Sequence, residues 1–420
     1  MAKLAFTCEE CGYSAAKFLG RCPSCGAWGS FQEETNAPTG ESLVELGQVD
    51  PAQEPRFSSG IAEFDRVLGG GFVPGEVMLL GGEPGVGKST LLLGVANQLL
   101  HNGQKVIYLA GEESLGQVGL RARRVGVSEK LLLSRETRLE NLVTQLKGQS
   151  PDVAIVDSVQ TLQAHGEAGS ILALRESALR LTELAKSENI ATILVGHVTK
   201  EGTLAGPKVV EHAVDATAYL ESAGVFRVLR GVKNRFGPAG EVGVFRMEEE
   251  GLLEVPNPSQ AFLAERPLGV AGSVVGMALS GERILALEVQ ALAAKTGFAI
   301  PKRVVQGLDP RRVDLILAIL ENRLKLEIDK LDLYLNLAGG LRVNDPGLDL
   351  AIALATYSAV RGQVAPAQLA AAGELGLAGE IRSVEGLQRR IDESRRAGFT
   401  NFIHPGSAKN VVSVIREVFA

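Results

Sequence analysis

A chain of 420 residues has room for two or three domains. With 45% hydrophobic and 22% charged residues it has a globular composition, and no apolar run approaches the roughly 18–20 residues that a membrane-crossing helix needs. A net charge of −6 excludes a wholly basic nucleic-acid binder, although basic loops confined to one channel of a ring or filament remain compatible with it.

The chain opens on Met1-Ala-Lys-Leu-Ala-Phe6 and reaches Cys8 with no hydrophobic leader or cleavage site, which predicts a cytoplasmic protein with no membrane partner. All four cysteines come next. Cys8-Glu-Glu-Cys11 and Cys22-Pro-Ser-Cys25 are two C-x-x-C knuckles ten residues apart. Each knuckle puts two thiolates on one tight turn, and the pair closes a tetrahedral Zn²⁺ site. A lone pair of this kind also reads as a redox site or as buried thiols; two pairs at ribbon spacing read as zinc. With no open coordination position the site is structural. Gly12 and Gly26 follow the knuckles, where the backbone turns around sulfur. Residues 1–32 are thus a small four-cysteine zinc module, too short for a sufficient core and stabilised by metal binding worth roughly 10–16 kcal/mol. Trp28 and Phe31 read either as its core or as a contact face. Residues 33–55 carry Glu33, Glu34, Glu41, Glu45, Asp50 and Glu54 and no Lys or Arg, which predicts a flexible acidic linker.

From Arg56 to Pro256 strands alternate with helices. Val77–Gly81, Lys105–Ala110, Val153–Asp157 and Ala191–His197 read as buried strands, Lys88–Leu100 and Ile171–Glu188 as helices. That order predicts a parallel sheet covered on both faces. Phe226–Val232 and Glu241–Met247 read as its antiparallel extension. Gly82-Glu83-Pro84-Gly85-Val86-Gly87-Lys88-Ser89 fits G-x-x-x-x-G-K-[ST] between a strand and a helix, the context that the ATP-binding P-loop requires. Its backbone N–H groups cradle phosphates at a helix N-terminus. Lys88 is expected on the β- and γ-phosphates, and Ser89, with Thr90 beside it, on Mg²⁺. Asp157 ends a strand and is either the second Mg²⁺ carboxylate or an ordinary polar strand end. Glu112 and Glu113 end another strand at the carboxyl edge, where ligands bind. One of them, with Glu112 favoured, is the candidate base; otherwise both are solvated loop acids.

Phe57-Ser-Ser-Gly-Ile-Ala-Glu-Phe-Asp65 and Leu68-Gly-Gly-Gly71 resemble the lead-in of RecA-superfamily ATPases. Lys233-Asn-Arg-Phe-Gly237, in this order with the zinc module and the P-loop, resembles the five-residue signature of the RadA (Sms) family of bacterial DNA repair proteins. The resemblance spans essentially the whole chain. It implies ATP-driven recombination and repair on single-stranded and branched DNA by a homo-hexameric ring related to replicative helicases, with recombinase or replication proteins as partners. It implies that Lys233 and Arg235 reach a neighbour's ATP or DNA, where position alone equally allows a solvated basic loop. It also implies that His197 to His212 is a DNA-channel loop, with Lys200 and Lys208 on phosphates; unaided, the sequence shows only a polar loop. The competing reading is a nucleotide-switched adaptor that recruits partners through the zinc module.

Pro256-Asn-Pro258 predicts a boundary that neither helix nor central strand tolerates. Beyond it, residues 259–420 resemble an α+β Lon-protease-like domain, with a strand at Arg283–Val289 and helices at Arg311–Leu324 and Gly347–Ser358. Lon-type proteases pair a serine with a lysine. Gly347 stands at the serine position and Arg390 at the lysine position. Arginine stays charged and cannot activate a hydroxyl as a neutral amine can, so no protease is expected. Arg311-Arg312, Arg389-Arg390 and Arg395-Arg396 suggest either a basic surface or ordinary solvated helix faces. The predicted fold class is therefore α/β: a RecA-like P-loop core between an N-terminal zinc ribbon and an α+β Lon-like tail.

Overall fold

The computed structural model describes residues 5–8, 14–15, 17, 19–34, 45, 56–164, 168–197, 207–297 and 300–420. Met1–Gln53 form one compact unit and Glu54–Ala420 another. In the first, β1 (Ala5–Cys8) pairs antiparallel with β2 (Ser14–Ala15) and with β3 (Phe31–Glu34).

In the second unit the short lead-in helix α1 (Ala62–Val67) precedes β4 (Val77–Gly82), the P-loop strand. The carboxylate of Asp65 fixes the lead-in by accepting from Ser59 N–H at 2.8 Å and from Ser58 Oγ at 2.5 Å. Then α2 (Lys88–His101), β5 (Val106–Ala110), α3 (Leu115–Arg124), β6 (Leu132–Ser134), α4 (Leu139–Gln149), β7 (Val153–Asp157), α5 (Ile171–Glu188) and β8 (Ala191–Val195) alternate. Every residue of β4, β5 and β8 is buried, as strands covered on both faces must be. Next come α6 (Pro207–Ala213), β9 (Ala216–Ala223), β10 (Phe226–Asn234), β11 (Val242–Glu248) and β12 (Gly251–Glu254). The nine strands run in the order β12-β11-β10-β9-β4-β8-β7-β5-β6. β9 is parallel to β4, and β10, β11 and β12 turn antiparallel from it. The expected antiparallel extension is present and is flanked by β9 and β12, which the sequence reading leaves out. The expected loop from His197 to His212 also needs correcting: its second half is α6, started by Pro207, a residue suited to a helix's first turn.

Pro256-Asn-Pro258 departs from expectation too. Pro258 opens helix α7 (Pro258–Leu263), where its missing N–H costs nothing, and Asn257 caps that helix by accepting from Gln260 N–H at 3.2 Å. The tail then builds a six-stranded sheet in the order β15-β16-β14-β13-β17-β20. Its elements are β13 (Ser273–Ser280), β14 (Arg283–Lys295), β15 (Arg303–Gln306), α8 (Pro310–Leu324), β16 (Leu331–Leu337), α9 (Asp349–Arg361) and β17 (Leu369–Ala371). A small hairpin, β18 (Glu374–Leu375) with β19 (Ile381–Arg382), is followed by α10 (Leu387–Arg396), β20 (Asn401–Ile403) and α11 (Val411–Val418). One buried apolar cluster takes Phe226, Val228, Val242 and Val244 from the nine-stranded sheet and Phe262, Leu285 and Leu287 from the tail. The rings of Phe226 and Phe262 meet edge to face at 4.8 Å. Among the described residues no helix is long and apolar enough to cross a membrane.

Candidate active site

The P-loop turns sharply between β4 and α2. Gly85 at φ +79° and Gly87 at φ +112° take backbone conformations that side chains disfavour, and Gly82 lies so close to the Leu220 carbonyl that a Cβ would stand 2.6 Å from it. Glu83, Pro84 and Gly85 form the exposed crest, Val86 and Thr90 are buried beneath it, and the Val86 carbonyl accepts from Arg227 Nε at 3.0 Å. Lys88 is only 5% exposed, and its ammonium donates to the carbonyls of Gly82 at 2.7 Å and Glu83 at 3.1 Å. Burial lowers its pKa, opposed by the charges of Asp157 and Glu112.

The carboxyl ends of β5, β7 and β8 close on this loop. Asp157 Oδ2 accepts from Ser89 Oγ at 2.7 Å and from Tyr108 Oη at 2.5 Å. Burial, then the Asp157 charge, pushes the Tyr108 pKa well up, so its hydroxyl stays a donor. The structure separates the two glutamates. Glu113 is held in a two-pronged ion pair by Arg121, at 2.7 and 2.8 Å. Glu112 faces the loop, where its Oε1 accepts from Ser158 Oγ at 2.5 Å and lies 2.9 Å from His197 Nε2. His197 Nδ1 lies 3.3 Å from the Lys88 ammonium. A neutral imidazole protonated on Nε2 satisfies both contacts. The cavity between these groups holds about 450 Å³ and is also lined by Val118, Arg124 and Met247. An acceptor-poor loop, a buried cation and a Ser–Asp pair are the donor set that a triphosphate with Mg²⁺ fits. Sequence reading missed His197, Tyr108, Ser158 and Arg121. Only the position of His197 at a strand's carboxyl end could have flagged one of them.

Lys233 and Arg235 lie elsewhere. Asn234 pairs with Ala216, and Ala216 with Met78, at the start of β4. The P-loop is at that strand's other end, roughly 17 Å away for a six-residue strand. The Lys233 ammonium donates to the carbonyls of Glu211 and Val214, both at 2.7 Å, at the end of α6. Arg235 Nη1 donates to Asp215 Oδ1 at 3.2 Å while its side chain is 53% exposed. Lys200 and the side chain of Lys208 lie outside the described residues.

In the tail, Gly347 and Arg390 do meet. A Cβ on Gly347 would lie 2.5–3.0 Å from three atoms of the Arg390 guanidinium. Arg390 is fully buried, grips Asp345 at 2.7 and 3.0 Å, and donates Nε to the Glu385 carbonyl at 2.9 Å. Arg312 likewise pairs with buried Asp349 and with Glu374. The suggested basic surface is corrected at Arg390, which is fully buried, and at Arg312, which is half-buried against Asp349, because carboxylates distant in sequence reach them there; Arg311, Arg389, Arg395 and Arg396 are exposed.

In the first unit, Cys22 and Cys25 flank a tight turn in which Gly26 N–H donates to the Cys22 carbonyl at 2.9 Å with Gly26 at φ +80°. Cys22 is buried. Cys8 ends β1, but its side chain, like all of Cys11, lies outside the described residues. A knuckle with its sulfurs on one turn suits a tetrahedral Zn²⁺ held by four thiolates. Trp28 is 76% exposed with Arg21 over its ring, so it is not the module's core.

Fold and site together define a RecA-like P-loop ATPase with a zinc ribbon before it and a Lon-like region after it. Residues 6–33 match the family model of a rubredoxin metal binding domain, 48–203 that of an AAA domain, and 291–408 that of subunit ChlI of Mg-chelatase. DNA repair protein RadA of Streptococcus pyogenes (serotype M6) is 44% identical over 98% of this chain and 94% of its own length. The proteins of that name from Halalkalibacterium halodurans and Bacillus subtilis are 41% and 40% identical, each over 96% of this chain and over 92% and 93% of their own. The chain belongs to the DNA repair protein RadA family.

Proposed function

We propose that this chain is a DNA-dependent ATPase of homologous recombination and repair. It works in the cytoplasm as a hexameric ring that moves on single-stranded DNA and remodels branched intermediates, by branch migration or helicase-like motion. The observation that carries the reading is the place of His197. It touches both Glu112 and Lys88, and it opens the stretch from His197 to His212 that resembles a DNA-channel loop. A loop rooted in the ATP site supports coupling of DNA contact to hydrolysis.

In this reading Lys88 binds the β- and γ-phosphates, replacing the loop carbonyls it now holds. Ser89 and Asp157 would hold Mg²⁺, whose charge screens the phosphates from the incoming water. Glu112 orients that water and takes its proton. His197 and Ser158 hold the glutamate in place. Arg235 completes the site of the next subunit, where a cation supplied in trans is worth roughly 10³ to 10⁵ in rate. The separation of Arg235 from its own P-loop along β4 supports the assignment in trans. Lys233, tied to α6, supports the backbone from which Arg235 projects. The Lon-like region is not a protease: Gly347 has no hydroxyl, and Arg390 is committed to Asp345. The zinc ribbon, with Trp28 exposed, serves contact with DNA or partner proteins.

ATP turnover measured with and without saturating single-stranded DNA tests the reading. Stimulation is expected, and turnover indifferent to DNA would sink it.

A further inference from the structure

We propose that Asp215 is a positioning residue, holding Arg235 in the conformation that serves a neighbouring subunit's ATP; this rests on the assignment of Arg235 in trans. Asp215 stands between α6 and β9, and its side chain is 2% exposed. Its Oδ1 takes Arg235 Nη1 at 3.2 Å and the Lys186 ammonium at 3.4 Å, and its Oδ2 accepts from Val77 N–H at 3.2 Å. The main chains are joined as well, because Arg235 N–H donates to the Asp215 carbonyl at 3.1 Å.

The guanidinium is therefore tethered at one nitrogen. Among the described residues Asp215 is its only hydrogen-bond partner, and half of the side chain is in solvent. One amino group is fixed and no described residue takes the remaining N–H donors, which leaves them for the two-pronged grip of a phosphate. An arginine on an exposed loop otherwise samples many rotamers, and ordering it at the moment of reaction opposes catalysis. A buried carboxylate under its root removes that freedom in advance. Lys186, on the same Oδ1 at 3.4 Å, is a second counter-charge, so the buried carboxylate does not depend on the arginine alone. Lys233 fixes the same strand end by donating to the Glu211 and Val214 carbonyls.

The test uses full-length rings. Asp215→Asn keeps the acceptor for Val77 N–H and removes the charge. It is expected to lower the DNA-stimulated kcat roughly tenfold, the scale of freeing a rotamer-rich arginine, with ATP KM and nucleotide Kd unchanged. The defect must lie in the neighbour's site. Mixed with Lys88→Ala chains, whose Asp215–Arg235 pair is intact, Asp215→Asn chains should regain turnover, as Arg235→Ala chains should in the same mixture. A defect transmitted through Val77 to the chain's own P-loop would not be rescued. If Arg235→Ala is rescued and Asp215→Asn is not, or if Asp215→Asn turns over like wild type, the positioning role is wrong. If Arg235→Ala is itself not rescued in rings shown to be mixed, the assignment in trans fails instead. Asp215→Ser, smaller and uncharged, carries the same comparison should the asparagine variant not fold.

Discussion

Arg390→Ala isolates the ion pair at the centre of the Lon-like region. The substitution removes four hydrogen bonds: two to Asp345, at 2.7 and 3.0 Å, one to the Glu385 carbonyl at 2.9 Å, and one to the Met277 carbonyl. Asp345 is left 8% exposed without its counter-charge. It retains two backbone donors, Leu279 N–H at 2.7 Å and Gly347 N–H at 2.9 Å. Breaking a buried pair from one side costs about 3–5 kcal/mol. The two surviving donors place this case near the lower end, about 3 kcal/mol. Glu54–Ala420 form one unit, and at roughly 2 cal/mol/K of unfolding entropy per residue its melting temperature should drop by about 4 °C. Urea unfolding followed by circular dichroism, together with a thermal melt, reads both quantities. Arg390→Lys keeps the charge but not the fork and should fall in between. A loss under about 1 kcal/mol for the alanine variant would mean that Asp345 is adequately held by the backbone alone, and the ion pair would lose its structural role. Gly347→Ser should destabilise as well, since its Cβ presses on a clamped guanidinium, and it should yield no peptidase.

Lys88→Ala should abolish ATP hydrolysis while the protein still melts cooperatively, because the lysine's partners are loop carbonyls and an imidazole; wild-type turnover in the purified variant would refute the site. Glu76 is buried, and burial chiefly raises its pKa from 4.5 to about 7, with Asp215 adding and Val73 N–H and Arg56 opposing. The folded state thus keeps a proton that the unfolded chain releases near 4.5, so stability should fall by up to about 3 kcal/mol as pH rises from 4.5 to 7 and then level off. Glu76→Gln should flatten that slope and be the more stable protein at pH 8; parallel wild-type and variant pH curves would show the assignment wrong. Chelation should release one Zn²⁺ per chain and unfold residues 1–32 while residues 54–420 keep their melt, and reduced, freshly prepared protein without zinc on elemental analysis would rule the site out. Gly281→Ala places a Cβ against the Gly240 carbonyl and should lower DNA-stimulated turnover with nucleotide Kd unchanged, whereas Gly362→Ala, also at positive φ but with open space around it, should not; equal effects would assign the loss to backbone strain alone.

What the sequence makes legible is contiguous. The P-loop, the two knuckles and the apolar runs of β4, β5, β7 and β8 each lie within a few residues, where spacing dictates chemistry. What it hides is set by strand order. Tyr108 lies within β5, Asp157 ends β7 and His197 follows β8, and they are neighbours only because the sheet runs β4-β8-β7-β5. Asp215 meets Arg235 only because β9 and β10 pair. β9 itself, Ala216-Thr-Ala-Tyr-Leu-Glu-Ser-Ala223, is weak in β-branched residues. It is a strand because β4 and β10 enclose it on both sides. Paired arginines look like surface in a sequence; Arg390 becomes interior and Arg312 half-buried only because Asp345 and Asp349 are brought beneath them.

The packing gives the Lon-like region a mechanical place beside the ATPase sheet. The loop that carries Arg235 runs on through Gly237 to Gly240, and two other segments close on it. From the lead-in, Gly69 approaches Gly237 backbone to backbone, and Arg56 donates to the Phe236 carbonyl. From the tail, the turn between β13 and β14 presses Gly281 against Gly240, where only glycines allow main chains so close. Beside this contact Glu63, 3% exposed, accepts from Arg283 of the tail at 2.6 Å and from Val244 N–H of β11 at 2.9 Å. One carboxylate thus ties the lead-in helix, the ATPase sheet and the tail. An apolar cluster runs through the same seam, and close-packed interiors transmit displacement instead of absorbing it. The tail therefore forms part of the wall behind the Arg235 loop. Displacement of the β13–β14 turn would bear directly on the Arg235 loop, whereas the P-loop lies at the far end of β4.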